Sequence, residues 1–231
     1  MSFTQLHERI QKAVADAGYT KETPIQERSI PRILKGADVI GIAQTGTGKT
    51  ADFTLPILSK LADSTEANEV RCTRVLIIAP TRELVSQIHD NVRTYAKYTN
   101  LRTVAVHGGV PDKGQIDKLD SGVDIIIATP GRLLELVERG HGRFSGLKHL
   151  VLDEADRMLD MGFIPAIRTI CKQLPKSRQS LLFSATMNPQ IESLTKEFLS
   201  SPVVVEIDRR ANPAETITQS MYEVFEHQQT D

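Results

Sequence analysis

Seven short apolar runs recur along the chain, at residues 38–43, 74–79, 103–106, 124–128, 149–152, 180–183 and 203–207. Their shortness and their content of Val, Ile and Leu predict β-strands. Runs such as RVLIIA and DIIIA carry no alternating polar position, which predicts strands covered on both faces and a mostly parallel sheet. Helical periodicity fills intervals between them: the segment after Gly48, residues 82–98, residues 131–138 and residues 189–199. Strand and helix in alternation predict right-handed crossovers in an α/β domain with helices on both faces of the sheet. Ahead of the first strand, residues 3–34 read as two helices broken at Gly18-Tyr19 and at Pro24, an appendage to the sheet. The polar stretch 63–68 reads as a surface loop, and the change of composition after Ile207 (DRRANPAETITQ) as a linker. The pattern thus divides the chain into residues 1–36, 37–207 and 208–231.

Composition narrows the class without selecting a function. The 231 residues are 40% hydrophobic and 25% charged, which excludes disorder and disulfide-rich scaffolds. Lys+Arg (28) and Asp+Glu (29) nearly cancel, so any surface for a polyanion must be local. Cys72 and Cys171 lie far apart with no metal-ligand spacing, which predicts buried reduced thiols and a cytoplasmic setting. No segment approaches the ~18 consecutive apolar residues of a membrane span.

The polar clusters carry the chemistry. AQTGTGKT, PTREL, HGG, TPGR, DEAD and SAT each fall just after a predicted strand, at the sheet edge where ligands of parallel α/β proteins bind. In AQTGTGKT, Thr45, Gly46, Thr47 and Gly48 form a loop whose glycines free backbone N–H groups for phosphate oxygens at a helix N-terminus. Lys49 is placed to meet the β- and γ-phosphates, and the Thr50 hydroxyl to meet Mg²⁺. Ala43 stands where the strict pattern has Gly. After HLVL, Asp153 is the natural metal partner, and Glu154 the group to orient and deprotonate an attacking water. Taken singly, Gly108-Gly109 is a tight turn, His107 a structural strand-end residue, Met158 and Met161 core filler, and Arg28, Arg32 and Lys35 a solvated helix face.

The ordered set GYTKETPIQ, AQTGTGKT, PTREL, GG, TPGR, DEAD and SAT resembles the first RecA-like domain of a DEAD-box ATP-dependent RNA helicase, over nearly the whole chain. DEADRMLDMGF and the short N-terminus resemble the bacterial RhlE-like branch. The resemblance implies a RecA-like P-loop fold with an N-terminal helical Q-motif segment, and ATP or ADP with Mg²⁺ as ligands. It implies that Gln26 reads adenine with Phe3 and Tyr19 near the base. Ser184 and Thr186 would couple the nucleotide site to strand separation, with Asp156 bonded to them. Arg82, Glu83, Gly108, Gly109, Thr129, Pro130, Gly131 and Arg132 would grip an RNA backbone. It further implies a second RecA-like domain in the natural chain, since no arginine-rich segment resembling HRxGRxxR follows SAT here; residues 1–231 alone would then hydrolyse ATP slowly and not unwind RNA. Glu22 replaces the usual Pro and Val85 the frequent Ala of the pattern, both read as tolerated packing changes. A DNA helicase or other P-loop ATPase fits the Gln26 segment and the DEAD and TPGR motifs less well. A non-catalytic nucleotide-binding scaffold has no need of Lys49, Thr50, Asp153 and Glu154 together.

Overall fold

A computed structural model describes residues 2–44, 48–62 and 72–207. Thr45, Gly46 and Thr47, the stretch 63–68 and the linker 208–231 lie outside the described residues. The seven apolar runs form β1 (Val39–Ile42), β2 (Val75–Ile78), β3 (Thr103–Val106), β4 (Ile125–Ala128), β5 (His149–Leu152), β6 (Gln179–Ser184) and β7 (Val203–Glu206). They make one sheet in the order β3-β4-β2-β5-β6-β1-β7, with every pairing parallel.

Helices α1 (Glu8–Asp16), α2 (Pro24–Leu34), α3 (Lys49–Leu61) and α4 (Arg82–Tyr95) share a core with one face of the sheet. On the other face lie α5 (Lys113–Ser121), α6 (Pro130–Glu138), α7 (Ala155–Asp160), α8 (Ile164–Cys171) and α9 (Pro189–Phe198). Strand alternation explains the two cores: Val75 and Ile77 of β2 enter the first, Leu76 and Ile78 the second. Crossovers that move along the sheet in opposite directions must use opposite faces if all are right-handed. The steps from β1 to β2 to β3 therefore carry α3 and α4 on one side, and the return through β4 to β7 carries the rest.

Three helices escape the periodicity. Helix α5 buries only Gln115 and Leu119, so it has almost no apolar stripe to read. Helix α7 spans six residues, too short to repeat a pattern, and α8 spans eight, with Ile164, Ile167 and Ile170 as its whole buried stripe. Helix α4 stops at Tyr95, short of residue 98, because the chain turns at Ala96, whose carbonyl accepts from the Thr99 backbone N–H and hydroxyl. The N-terminal helices are integral to the first core: Ile10, Ile25, Ile30 and Ile33 are fully buried there with Phe53 and Leu55 of α3. Met158 is core as expected, but Met161 is 47% exposed, because it caps the C-terminus of the short α7. Cys72 and Cys171 form no disulfide and are half-buried; burial pushes the Cys171 thiol up to about 11.

The N-terminal edge of the sheet is closed by side chains. Arg74 pairs with Asp124 at 2.7 Å, the Asp38 carboxylate accepts from the Ser180 and Ser200 N–H groups, and the Gln179 amide donates to the Ile33 and Ala37 carbonyls. His149 is buried among these groups, and burial, reinforced by the Lys60 charge, holds its imidazole at about 4 against an ordinary 6.5. The unfolded chain takes up this proton at higher pH than the folded one, so stability falls as pH drops from about 6.5 towards 4. The contribution is of order 3 kcal/mol. Thermal melts across that window should show His149→Gln losing less stability than the parent; equal losses would assign the acid limb elsewhere.

Candidate nucleotide and nucleic-acid site

The strand order sorts the polar clusters into two groups. The ends of β5, β6 and β1 adjoin and carry DEAD, SAT and AQTGTGKT; the ends of β3, β4 and β2 adjoin and carry HGG, TPGR and PTREL.

In the first group the Ala43 N–H donates to the Ser184 carbonyl at 3.1 Å, joining two clusters directly. Gly48 caps α3 at φ +85°, where a β-carbon would lie 2.6 Å from Gln26 Nε2, so backbone conformation and space both demand glycine. Gln26 is buried: its Oε1 accepts from the Thr23 N–H at 3.0 Å and its Nε2 donates to the Gly48 carbonyl at 3.0 Å. One N–H and one lone pair of the amide stay free of these two bonds. Lys49 is 7% exposed, and its ammonium has no hydrogen-bond partner among the described residues. Burial drives Asp153 up to about 6, an effect the Lys49 charge partly offsets and the Glu154 and Asp156 charges reinforce. A buried cation without a partner beside a buried carboxyl is the signature of a site made for a charged ligand.

Glu154 is one of two non-glycine residues with positive φ among the described residues, at φ 52° and ψ 53°. It begins α7 without capping it, and Arg157 Nη1 reaches its carboxylate at 3.4 Å. One oxygen of Asp156 accepts three bonds, from the Ala185 N–H and the Thr186 N–H at 3.1 Å and from the Thr186 hydroxyl at 3.2 Å. Ser184 is fully buried at the end of β6.

A cavity of about 340 Å³ is lined by Lys49, Thr50, Asp153 and Glu154 together with Tyr19 and residues of helix α4. A larger, apolar hollow between α9 and β7 contains none of the predicted residues, so the smaller cavity is the chemical one. Tyr19 turns toward α4, its hydroxyl 2.8 Å from that of Tyr95, while Phe3 packs half-buried on the core. The Phe3 N–H donates to Glu22 Oε1 at 2.7 Å, so Glu22 anchors the N-terminal turn rather than merely filling space. Gln87 and Asn91, one turn apart on α4, also line the cavity and carried no signal beyond polar residues on an amphipathic helix.

Among the described residues no three His, Cys, Asp or Glu side chains cluster into a metal cage. The oxygen donors of Thr50 and Asp153 suit Mg²⁺, which is ordinarily held by one or two carboxylates together with ligand phosphates.

The second group forms an open ledge. Arg82 and Glu83 pair at 2.5 Å with both side chains more than 60% exposed. Gly109, at φ +81°, lets its backbone lie beside the Arg82 guanidinium, which would be 3.0 Å from any β-carbon. Gly108 has nothing within 4 Å of a β-carbon position. Thr129 caps α6 without using its side chain, Pro130 opens the helix, exposed Gly131 follows, and Arg132 pairs with Glu135 at 3.0 Å. The ledge thus offers two arginines and a helix N-terminus to an extended anion.

Residues 23–194 match the family described as DEAD/DEAH box helicase, and the chain belongs to that family. It is 44% identical over 220 residues, 94% of its length, to "DEAD-box ATP-dependent RNA helicase 30" of Oryza sativa subsp. japonica, of which it covers 33%. To "ATP-dependent RNA helicase RhlB" of Pseudomonas putida it is 43% identical over 95% of its length, covering 56% of that protein. A crystal structure of a DEAD box protein from the hyperthermophile Methanococcus jannaschii superposes with a TM-score of 0.81 at 34% identity, over 90% of this chain and 55% of that one. The chain spans between 18% and 56% of the length of such curated relatives.

Left-handed backbone at Glu154 costs about 1 kcal/mol or more and is kept at a site rather than in a turn. Glu154→Asn, which tolerates that conformation, should raise the melting temperature, whereas Gly48→Ala should lower it and displace Gln26. A lower melting temperature for Glu154→Asn would show that its carboxylate stabilises the fold.

Proposed function

We propose that this chain is the ATP- and RNA-binding first domain of a DEAD-box RNA helicase, in which ATP hydrolysis drives the unwinding or remodelling of RNA. The observation that carries the reading is the Asp156 carboxylate, which ties the DEAD segment to SAT near the Lys49 ammonium, itself without a hydrogen-bond partner among the described residues. In this reading Gly46, Gly48 and Lys49 hold the phosphates, with Thr45 and Thr47 completing the loop. Thr50 and Asp153 hold Mg²⁺, which when bound neutralises charge developing on the phosphates. Glu154 positions the attacking water and takes its proton, and Gln26 reads adenine with Tyr19 and Phe3 nearby. Asp156, Ser184 and Thr186 carry the state of the nucleotide site along the sheet edge. Arg82, Glu83, Gly108, Gly109 and residues Thr129, Pro130, Gly131 and Arg132 hold the sugar-phosphate backbone, a mode that positions a strand without reading its bases.

The partners are RNA and a second RecA-like domain. The DEADRMLDMGF segment favours the RhlE-like branch, and two cysteines outside any disulfide favour the cytoplasm. Among the described residues no helix is long and apolar enough to cross a membrane.

Three measurements test this. Glu154→Gln should keep Mg-nucleotide affinity while Lys49→Ala weakens it, because the first group acts on water and the second on phosphate; loss of binding in a folded Glu154→Gln would remove the base assignment. ADP should bind more tightly than GDP by roughly 1–3 kcal/mol, the scale of a bidentate base contact, and Gln26→Ala should shrink that gap. The 231-residue chain should turn over ATP slowly, since an arginine finger from elsewhere is worth roughly 10³–10⁵ in rate. Robust RNA-stimulated turnover or duplex separation by this chain alone would overturn the half-motor reading.

A further inference from the structure

Helices α2 and α3 are joined by two polar contacts one turn apart. In the first, Gln26 Nε2 donates to the Gly48 carbonyl at 3.0 Å. In the second, the Ser29 hydroxyl meets Asp52 Oδ1, both residues being fully buried. Gln26 and Ser29 stand three apart on α2, and Gly48 and Asp52 four apart at the start of α3, so the contacts form parallel rungs. The Gly48 carbonyl also receives the Asp52 backbone N–H at 3.2 Å, so both rungs converge on the first turn of α3. That turn carries Lys49 and Thr50.

A serine and an aspartate facing each other inside a helix interface are a costly choice, because two apolar side chains would fill the space with no desolvation penalty. What the polar pair adds is direction. Apolar helix faces tolerate sliding and rotation, whereas a hydrogen bond between short side chains is lost within about an ångström. Ser29 is held in place by its second contact, 2.8 Å to the Ile25 carbonyl of its own helix.

We propose that Ser29 and Asp52 are positioning residues that set the register between Gln26 and the Lys49–Thr50 turn, and through it the preference for adenine. The base is read from α2 and the phosphates are held from α3, so a nucleotide can satisfy both only if the two helices keep one spacing. The proposal rests on Gln26 as the base-reading residue.

The test is calorimetric titration of the full chain with Mg-ADP and Mg-GDP for the parent, Gln26→Ala, Ser29→Ala, Asp52→Ala, Asp52→Asn and the Ser29→Ala/Asp52→Ala double variant, each with its thermal melt. Ser29→Ala and Asp52→Ala should each cut the ADP-over-GDP preference about fivefold, the effect of one ordinary hydrogen bond. The double variant should lose no more than either alone, since the two residues share one contact. Asp52→Asn should recover the preference to within about twofold, because its amide still reaches the Ser29 oxygen. Lower melting temperatures with an unchanged preference in Ser29→Ala and Asp52→Ala would make the pair structural only and overturn the proposal. A preference unchanged in Gln26→Ala would remove the base-reading assignment and the proposal with it, whereas one reduced in Gln26→Ala alone would overturn the proposal and leave that assignment standing.

Discussion

The working edge of this protein depends on β1 lying between β6 and β7. That placement brings the start of α3 beside the end of β6, where the Ala43 N–H meets the Ser184 carbonyl, and one strand further lies Asp153. Backbone hydrogen bonds of a parallel ladder hold these strand ends more rigidly than loops hold themselves, so groups from distant parts of the chain are positioned by the sheet. The opposite edge is secured by Asp38, Arg74, Asp124 and Gln179, whose side chains bond to backbone and to each other. Loops at the working edge are thereby free to serve ligands rather than stability.

The chemistry at that edge is kept in a state a folded protein would otherwise avoid. Lys49 is buried without a partner among the described residues, Asp153 is driven towards its neutral form by burial, and Glu154 sits in left-handed backbone. Each is unfavourable alone, and in the proposed function an anionic ligand with its cation would relieve the two buried charges while the left-handed turn presents the Glu154 carboxylate. The surrounding interior, apolar on both faces of the sheet, is what holds such groups in place.

Asp156 accepts from Ala185 and Thr186, so hydrogen bonds tie α7 to the end of β6. The ledge built on β2, β4 and β3 is separated from this unit only by the β2–β5 ladder. In the proposed function nucleotide and RNA would thus take two halves of one edge that share the β2–β5 ladder.

Local chemistry determined much of this in advance. The strands were legible because burial on both faces removes every polar position from runs such as VLIIA, and the clusters were legible because Gly, Pro and Asp end such runs. The helices α5, α7 and α8 were not, since a helix that buries two residues, or spans only six or eight, leaves little period to detect. Tertiary structure alone decided the strand order, hence which clusters are neighbours, because β1 pairs with strands more than a hundred residues away. It also decided that Tyr19 faces Tyr95, that Glu22 holds Phe3, and that Ser29 meets Asp52. Composition and periodicity record which residues must leave water, whereas these contacts depend on which buried surfaces meet, and that is settled only when the helices dock on the sheet.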